Sequence, residues 1–153
     1  MNPNFQLLPE AVSFVRLDSK QDVLECVASL FGTTYGIDPT LGLEGMEERE
    51  RLGSTGFGSG VAIPHARSKQ VSRPAAVVLR LQHPVEFKAA DAMPVELVFG
   101  LLSPENAGAM HLHALAAISR LVREESVLEA LLKAPDSEAL FALLSDKIDR
   151  DAA

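Results

Sequence analysis

Three apolar runs restrict the folds that this sequence can adopt. Residues 61–63 read VAI, residues 75–81 read AAVVLRL between Pro74 and Pro84, and residues 94–102 read PVELVFGLL. Short apolar runs that are bounded by turn residues predict buried strands. Segments with helical periodicity precede and follow these runs, and strands that are separated by helices predict an α/β sandwich.

Five helices are expected from capping residues and apolar spacing, after a first short strand over residues 12–17. The first helix follows Asp18 or Ser19, which can cap it. Its apolar face comprises Val23, Leu24, Val27, Leu30 and Phe31. The second helix has Asp38 as its cap and Pro39 at its first helical position. Three more helices are expected in the segments HLHALAAISRLV, ESVLEALLKA and DSEALFALLSD.

Length and charge limit the organisation and the class of protein. The chain has 153 residues, which suits a single domain. We expect a loose N-terminal arm over residues 1–11, a domain over residues 12–146 and a frayed tail over residues 147–153. The formal net charge of −7 argues against a surface that binds nucleic acid or an anionic membrane.

The chain is expected to be cytoplasmic. No apolar run approaches the ~18 residues that span a bilayer, and the N-terminus has no basic, apolar leader. The single cysteine, Cys26, excludes an internal disulfide framework and is expected to be a buried, inert thiol.

The glycine-rich segment GSTGFGSG over residues 53–60 has the composition of a phosphate-binding loop. A Walker loop requires a lysine after its last glycine, but Val61 follows Gly60. A dinucleotide fingerprint that starts from Gly56 and Gly58 requires a third glycine at the position of Val61. Neither nucleotide motif matches, so a tight turn whose glycines adopt positive φ remains.

Four histidines are candidates for chemistry. His111 and His113 are two residues apart, so on a helix their side chains diverge by about 200° and cannot bind one ion together. No HExxH or CxxC motif is present, and neither a metal site nor a cofactor is predicted. His83 precedes a proline and is expected to lie in an exposed turn.

His65 has the most distinctive neighbours. Pro64 restricts the backbone before it, upstream glycines permit close approach of another molecule, and Ser54 and Thr55 offer hydroxyl groups. The basic residues near it in sequence are Arg49, Arg51, Arg67 and Lys69. A neutral imidazole is a competent nucleophile at pH 7, and cationic donors stabilise a phosphoryl group. Phosphoryl transfer onto His65 and a turn histidine in a solvated basic loop both remain open from the residues alone.

Two long segments resemble a known family. The run RERLGSTGFGSGVAIPHAR over residues 49–67 resembles the enzyme IIA domains of fructose–mannitol type in the bacterial phosphotransferase system, and their nitrogen-regulatory branch most closely. The run PVELVFGLLSPEN and the later HLHALAAISRLV are similar to the strand, loop and helix that follow the family's site. The resemblance extends over residues 12–146 and implies a mixed central sheet flanked by helices, the fold of mannitol-type IIA domains.

The resemblance implies roles for individual residues. His65 would accept a phosphoryl group from a histidine phosphocarrier protein, and Arg49 and His111 would donate hydrogen bonds to it, with their charges contributing. Thr55 and Ser54 would be supporting hydroxyls, and the role of Arg67 stays open. Many members of the family have glycine where this chain has Ala66, which lacks glycine's freedom at positive φ.

Three functions are compatible with this resemblance. The first is a nitrogen-regulatory phosphocarrier that controls partners such as potassium transport proteins or sensor kinases. Neither nucleic acid nor a membrane is expected as its partner. The second is a sugar-specific IIA component that passes its phosphoryl group to a IIB domain. The third is a binding module in which His65 is vestigial. The free-standing chain favours the first.

Overall fold

The computed structural model describes residues 4–152, with side chains to residue 150. A short 3-10 helix over Pro9–Ala11 precedes six strands and five helices within these residues. The strands are β1 (Val12–Val15), β2 (Gly56–Gly58), β3 (Val61–Ala62), β4 (His65–Ser68), β5 (Ala75–Val85) and β6 (Val95–Pro104). The helices are α1 (Lys20–Tyr35), α2 (Pro39–Arg51), α3 (Ala109–Arg123), α4 (Glu125–Lys133) and α5 (Ser137–Ala152).

The strands form one mixed sheet in the order β1-β5-β6-β3-β2. β1 is parallel to β5, β5 is antiparallel to β6, and β3 is antiparallel to β2. β3 and β4 both pair in parallel with β6, one after the other along the same edge. The predicted α/β sandwich with a mixed sheet is therefore confirmed.

Alternate side chains of the strands enter two different cores. In β5, Val77 packs on the face covered by α1 and α2, while Val78 packs on the face covered by α3, α4 and α5. Both side chains are fully buried. Burial of a valine or leucine side chain stabilises the fold by about 1.5–3 kcal/mol. Because helices cover both faces of the sheet, both faces require apolar side chains, which explains the nearly continuous apolar runs in the sequence.

The predicted caps of the first two helices are present. Ser19 Oγ accepts from the backbone N–H of Asp22 at 3.1 Å, and Gly36 ends α1 in the left-handed conformation with φ 72°. Asp38 Oδ1 accepts from the backbone N–H of Thr40 at 2.9 Å, and Pro39 opens α2. Satisfied N–H groups of this kind stabilise a helix end by about 1 kcal/mol.

The expected loose ends are wrong where the structure describes them, whereas residues 1–3 of the arm and residue 153 of the tail lie outside the described residues. Phe5 is buried in the core, and Gln6 pairs with Ala75 through backbone hydrogen bonds to Pro74 and Ala76 of 2.8 Å each. At the other end, Ile148 lies buried in the last turns of α5. Large apolar side chains at both ends supply burial that local composition did not indicate. Cys26 is only partly buried, and burial raises the pKa of its thiol.

The glycine-rich segment contains more structure than a turn. Gly56–Gly58 forms β2, which pairs with β3 across a turn in which Gly58, Ser59 and Gly60 have φ of 109°, 57° and 82°. The expectation of positive φ at glycines is confirmed, since two of these three residues are glycine. The turn is also fastened from outside, because Asp91 Oδ2 accepts from the backbone N–H of Ser59 at 2.9 Å.

Candidate active site

An open cleft of about 420 Å³ lies where α2 and the first turn of α3 meet β4. Its lining combines two imidazoles, two guanidinium groups, one carboxylate and three small or apolar residues. The lining residues are Gly45, Glu48, Arg49, Leu52, His65, Ala66, Arg67 and His111. The structure thus brings together the three residues to which the family resemblance assigns the site, and it adds Arg67.

His65 occupies the first position of a strand, not a loop. The edge strand beside β6 is interrupted at Ile63 and Pro64, where the Ile63 N–H donates to the Thr55 carbonyl at 2.9 Å. The chain rejoins β6 when the Leu101 N–H donates to the Pro64 carbonyl at 3.0 Å. From there β4 runs beside β6, and its period of two directs His65 and Arg67 to the same face.

The His65 ring is oriented by a backbone carbonyl. Its Nδ1 lies 2.6 Å from the carbonyl oxygen of Ile63. A carbonyl only accepts hydrogen bonds, so Nδ1 carries the proton when the ring is neutral. The lone pair therefore resides on Nε2, which is the nitrogen available for attack.

The surroundings of His65 favour its neutral form. The side chain is partly buried, and this burial lowers its pKa below the usual value of about 6.5. The positive charge of Arg49 lowers the pKa further, whereas the Ile63 carbonyl and the charge of Glu50 oppose the shift. At neutral pH the ring is mainly in the neutral form, which has the free lone pair that a nucleophile requires.

His111 is held against the strand that β4 borders. Its Nδ1 lies 2.6 Å from Ser103 Oγ, and only 7% of the residue is exposed. The centroids of the His65 and His111 rings are 5.5 Å apart, with 47° between their planes. Burial, then the neighbouring His65 and Arg67, lower the pKa of His111 to about 4. His111 is therefore neutral at pH 7 in the unphosphorylated chain, so the charge expected of it during transfer is absent before the phosphoryl group arrives.

The other two histidines lie outside the cleft. His113 is exposed on α3, two residues from His111 and facing away from it, as helical geometry requires. His83 is also exposed, but it belongs to strand β5, so its predicted turn is wrong. Pairing of the end of β5 with β6 resumes at Val85, and this non-local pairing overrides the local turn signal of Pro84.

Arg49 projects from the last turn of α2 into the cleft. Its Nη1 donates to the carbonyl of Gly53 at 2.8 Å, which fixes the guanidinium beside the start of the glycine-rich segment. This bond uses one of the five N–H groups that a guanidinium carries. The remaining groups form a fork that suits phosphoryl oxygens.

Ser54 and Thr55, the expected supporting hydroxyls, do not line the cleft. Thr55 is buried, and its N–H and hydroxyl both donate to the Glu50 carboxylate. Ser54 Oγ donates to the Phe87 carbonyl at 2.5 Å and accepts from the Gly56 N–H at 3.0 Å. Their hydroxyl groups hold in place the segment that joins α2 to β2.

Ala66 needs none of glycine's conformational freedom. It lies in the extended backbone of β4 opposite Leu102 and is not among the positive-φ residues. Its Cβ faces Gly45 of α2, where an added Cβ would lie 3.1 Å away. The departure from the family pattern is therefore accommodated by a glycine on the facing helix.

Three groups at the site were missed from the sequence. The Ile63 carbonyl is a backbone group and leaves no sequence signal. Glu50 has a side chain that is only 6% exposed and forms an ion pair of 2.8 Å with Lys20, which the acidic composition of α2 concealed. Ser103 was detectable in principle, because it is a polar residue at the carboxyl end of a buried apolar run.

Neither a metal-binding cluster nor a membrane-spanning helix is found within residues 4–152. Across residues 4–152, no group of three or more His, Cys, Asp or Glu side chains has an arrangement that could hold a metal ion. Over the same residues, no helix has the length and apolar character needed to cross a membrane.

A family model described as phosphoenolpyruvate-dependent sugar phosphotransferase system, EIIA 2, matches residues 6–147. The chain belongs to this family, whose members are phosphotransferase components that carry a phosphohistidine. It is 40% identical over 144 residues to the nitrogen regulatory protein of Pseudomonas aeruginosa, with 92% of this chain and 94% of that one covered.

Solved structures agree with this assignment. The nitrogen regulatory protein IIA-Ntr of Neisseria meningitidis superposes with a TM-score of 0.83 at 34% identity, covering 90% of this chain and 95% of that one. IIA mannitol of Escherichia coli shares the fold, with a TM-score of 0.78 at 22% identity over 92% and 99% of the two chains. The resemblance to the nitrogen-regulatory branch is confirmed.

Proposed function

We propose that this chain accepts a phosphoryl group on His65 Nε2 from a histidine phosphocarrier protein and that its phosphorylation state controls its binding to regulatory partners. The observation that carries the proposal is the His65 ring itself. Its Nδ1 is occupied by the Ile63 carbonyl, while the ring lines an open cleft. An imidazole held in this way presents a single nucleophilic nitrogen to an approaching protein.

The proposed step exchanges one P–N bond for another. The lone pair of His65 Nε2 attacks the phosphorus of a phosphohistidine on the donor. The donor's P–N bond breaks, and its electron pair stays on the donor nitrogen. Each ring keeps the proton on its other nitrogen, so no proton leaves the site, and no metal or cofactor is invoked.

The cleft supplies donors for the phosphoryl oxygens. Arg49 provides a fork of N–H groups, and His111 provides a neutral imidazole. Arg67 lies on the same face of β4 as His65 and adds a second guanidinium. Such donors stabilise the transferring group more strongly once the partner excludes water from the cleft. Ser54 and Thr55 contribute indirectly by holding the segment that follows Arg49.

Regulation is favoured over sugar transport by the relatives. The proteins reported above at 34–40% identity are nitrogen regulatory proteins. Transfer onward to a IIB domain remains the alternative, because the family description names a sugar phosphotransferase system. Potassium transport proteins and sensor kinases are the partner classes we propose, acting in the cytoplasm where phosphoenolpyruvate is made.

The proposal is tested by phosphoryl transfer in vitro. The chain is incubated with phosphoenolpyruvate, enzyme I and a histidine phosphocarrier protein, and an acid-labile label is quantified. We expect one phosphoryl group per chain and its complete loss in His65→Ala. His83→Ala, which removes an exposed histidine outside the cleft, should label normally. A label that survives in His65→Ala contradicts the assignment, and a folded wild-type chain that never labels favours the binding module.

A second measurement separates regulation from transport. Labelled protein is mixed with IIB domains of fructose and mannitol type, and the loss of label from this chain is followed. We expect little transfer on the time scale of its own phosphorylation. Rapid transfer to either IIB domain would establish the transport component instead.

A further inference from the structure

We propose that Ser103 is a positioning residue that donates its hydroxyl proton to His111 Nδ1 and so fixes His111 as the Nε2–H tautomer, a neutral donor aimed at the phosphoryl group. The inference rests on the function proposed for the cleft. It concerns a residue at the carboxyl end of β6 that does not itself line the cleft.

The contact between Ser103 and His111 is buried, so the direction of its hydrogen bond follows from the need to pair every buried polar group. Ser103 is fully buried, and its Oγ lies 2.6 Å from His111 Nδ1. Within residues 4–152, this is the one hydrogen bond that the Ser103 hydroxyl makes. A buried hydroxyl that donates to Nδ1 satisfies both groups. If Nδ1–H donated instead, the hydroxyl proton would be buried without an acceptor, which is costly.

The direction of this bond decides what His111 can do. Burial, with His65 and Arg67 nearby, keeps His111 neutral at pH 7, so the ring has one N–H group to offer. With Nδ1 accepting from Ser103, that N–H is on Nε2, at the end of the ring away from the strand. A ring with Nδ1–H would present a lone pair to the incoming phosphoryl oxygens, and it would repel them.

The two imidazoles therefore have opposite roles set by different anchors. The Ile63 carbonyl accepts from His65 Nδ1 and leaves a lone pair on Nε2. The Ser103 hydroxyl donates to His111 Nδ1 and leaves a proton on Nε2. The ring centroids are 5.5 Å apart, so one ring can attack phosphorus while the other donates to an oxygen of the same group.

The first test reads the tautomer directly in the unphosphorylated protein. Long-range ¹H–¹⁵N correlation spectra of histidine-labelled protein distinguish Nδ1–H from Nε2–H rings. We expect His111 as Nε2–H, with Nδ1 shifted as a hydrogen-bond acceptor, and His65 as Nδ1–H. In Ser103→Ala the His111 Nδ1 resonance should move to that of an acceptor without a partner. A His111 ring with Nδ1–H in the wild-type protein overturns the proposal.

The second test asks whether Ser103 acts through His111. Loss of one hydrogen bond predicts that Ser103→Ala slows phosphoryl transfer about tenfold. His111→Gln offers an amide N–H whose orientation does not depend on a tautomer. In that background Ser103→Ala should change the rate less than about twofold, as expected for residues that act as one unit. Equal effects in both backgrounds would mean that Ser103 acts on the fold, and no effect in either would remove it from the reaction.

The two proposals fail in different ways. Unchanged His65 and His83 signals in Ser103→Ala show that the fold is intact. If the wild-type protein never labels, the function proposed for the cleft fails, and the His111 tautomer still decides whether Ser103 orients the ring.

Discussion

The four histidines form two pairs, which have the same imidazole side chain but very different surroundings. His65 and His111 are partly or fully buried, each with Nδ1 anchored at 2.6 Å by a neighbouring oxygen. His83 and His113 are exposed, one at the far end of β5 and the other on the outer side of α3. Reactivity in this molecule therefore follows from anchoring and burial, since the imidazole itself is common to all four.

Under the proposed function, the anchors explain why only the first pair suits phosphoryl transfer. An exposed imidazole samples both tautomers and many rotamers, so its reactive nitrogen is oriented for a small part of the time. An anchored ring has already lost that freedom when the donor arrives, which lowers the entropic cost of the encounter. Lowered pKa values keep both cleft histidines neutral at pH 7.

The largest expected effect concerns Arg49, the cleft guanidinium that is fixed by the Gly53 carbonyl. Arg49→Ala should reduce the rate of phosphoryl transfer by about 10²- to 10³-fold, because a preorganised donor to the transferring group is lost. Arg51→Ala removes an exposed guanidinium two residues further along α2 and is the matched control. The measurement is the initial rate of label incorporation. Equal rates for the two variants would contradict the place of Arg49 in the reaction.

The second expected effect is on stability and comes from His111. Its pKa is about 4 in the folded chain and about 6.5 when unfolded, so the unfolded state binds the extra proton between these values. The free energy of unfolding should therefore fall as the pH drops from about 6.5 to about 4, by at most about 3 kcal/mol. The lowered pKa of His65 adds to the loss in the same direction.

Urea titrations across this pH range measure the effect. His111→Ala should flatten the dependence relative to wild type, and His113→Ala, at an exposed position of the same helix, should retain it. Identical slopes for wild type and His111→Ala would show that the buried ring is not held neutral in the folded chain.

The third expected effect separates the same two residues by rate. His111→Ala should slow phosphoryl transfer about 10- to 100-fold, since one donor to the phosphoryl oxygens is lost and no charge is removed. His113→Ala should stay within about twofold of wild type. Label incorporation under single-turnover conditions checks both variants, and a His113→Ala defect as large as that of His111→Ala would undo the division into pairs.

Sequence patterns predicted the parts of this fold that have local causes. The caps Ser19 and Asp38 and the apolar runs of β5 and β6 carry their own signals, and the structure confirms them. β4 was missed because four residues, two of them charged or titratable, form a strand only by pairing with β6. Its existence depends on a partner about 36 residues away, which no local window contains.

The same distinction applies to the site. Spacing alone showed that His111 and His113 diverge, but it could not say which faces His65. That choice depends on how the first turn of α3 packs against the end of β6, where Ser103 lies eight residues before His111. Family resemblance supplied His111 and Arg49, and the anchors that set their chemistry became visible only in three dimensions.

The smallest expected effect concerns two glycines of α2, the helix that forms one wall of the cleft. At Gly42 an added Cβ would meet Leu102 at 3.7 Å, an ordinary contact, so Gly42→Ala should stabilise the protein by up to about 1 kcal/mol through helix propensity. At Gly45 an added Cβ would lie 3.1 Å from the Cβ of Ala66, the residue next to His65. Gly45→Ala should gain less stability and slow transfer several-fold, because α2 and β4 must separate slightly at the nucleophile.

Combining Gly45→Ala with Ala66→Gly tests this explanation, because the second change removes the methyl group that the first one meets. We expect the double variant to recover transfer toward the rate of Ala66→Gly alone, with unfolding and label incorporation measured on the same samples. If Gly45→Ala transfers as fast as Gly42→Ala, the close approach of α2 to β4 does not control the position of His65, and the anchor at the Ile63 carbonyl suffices to place the ring.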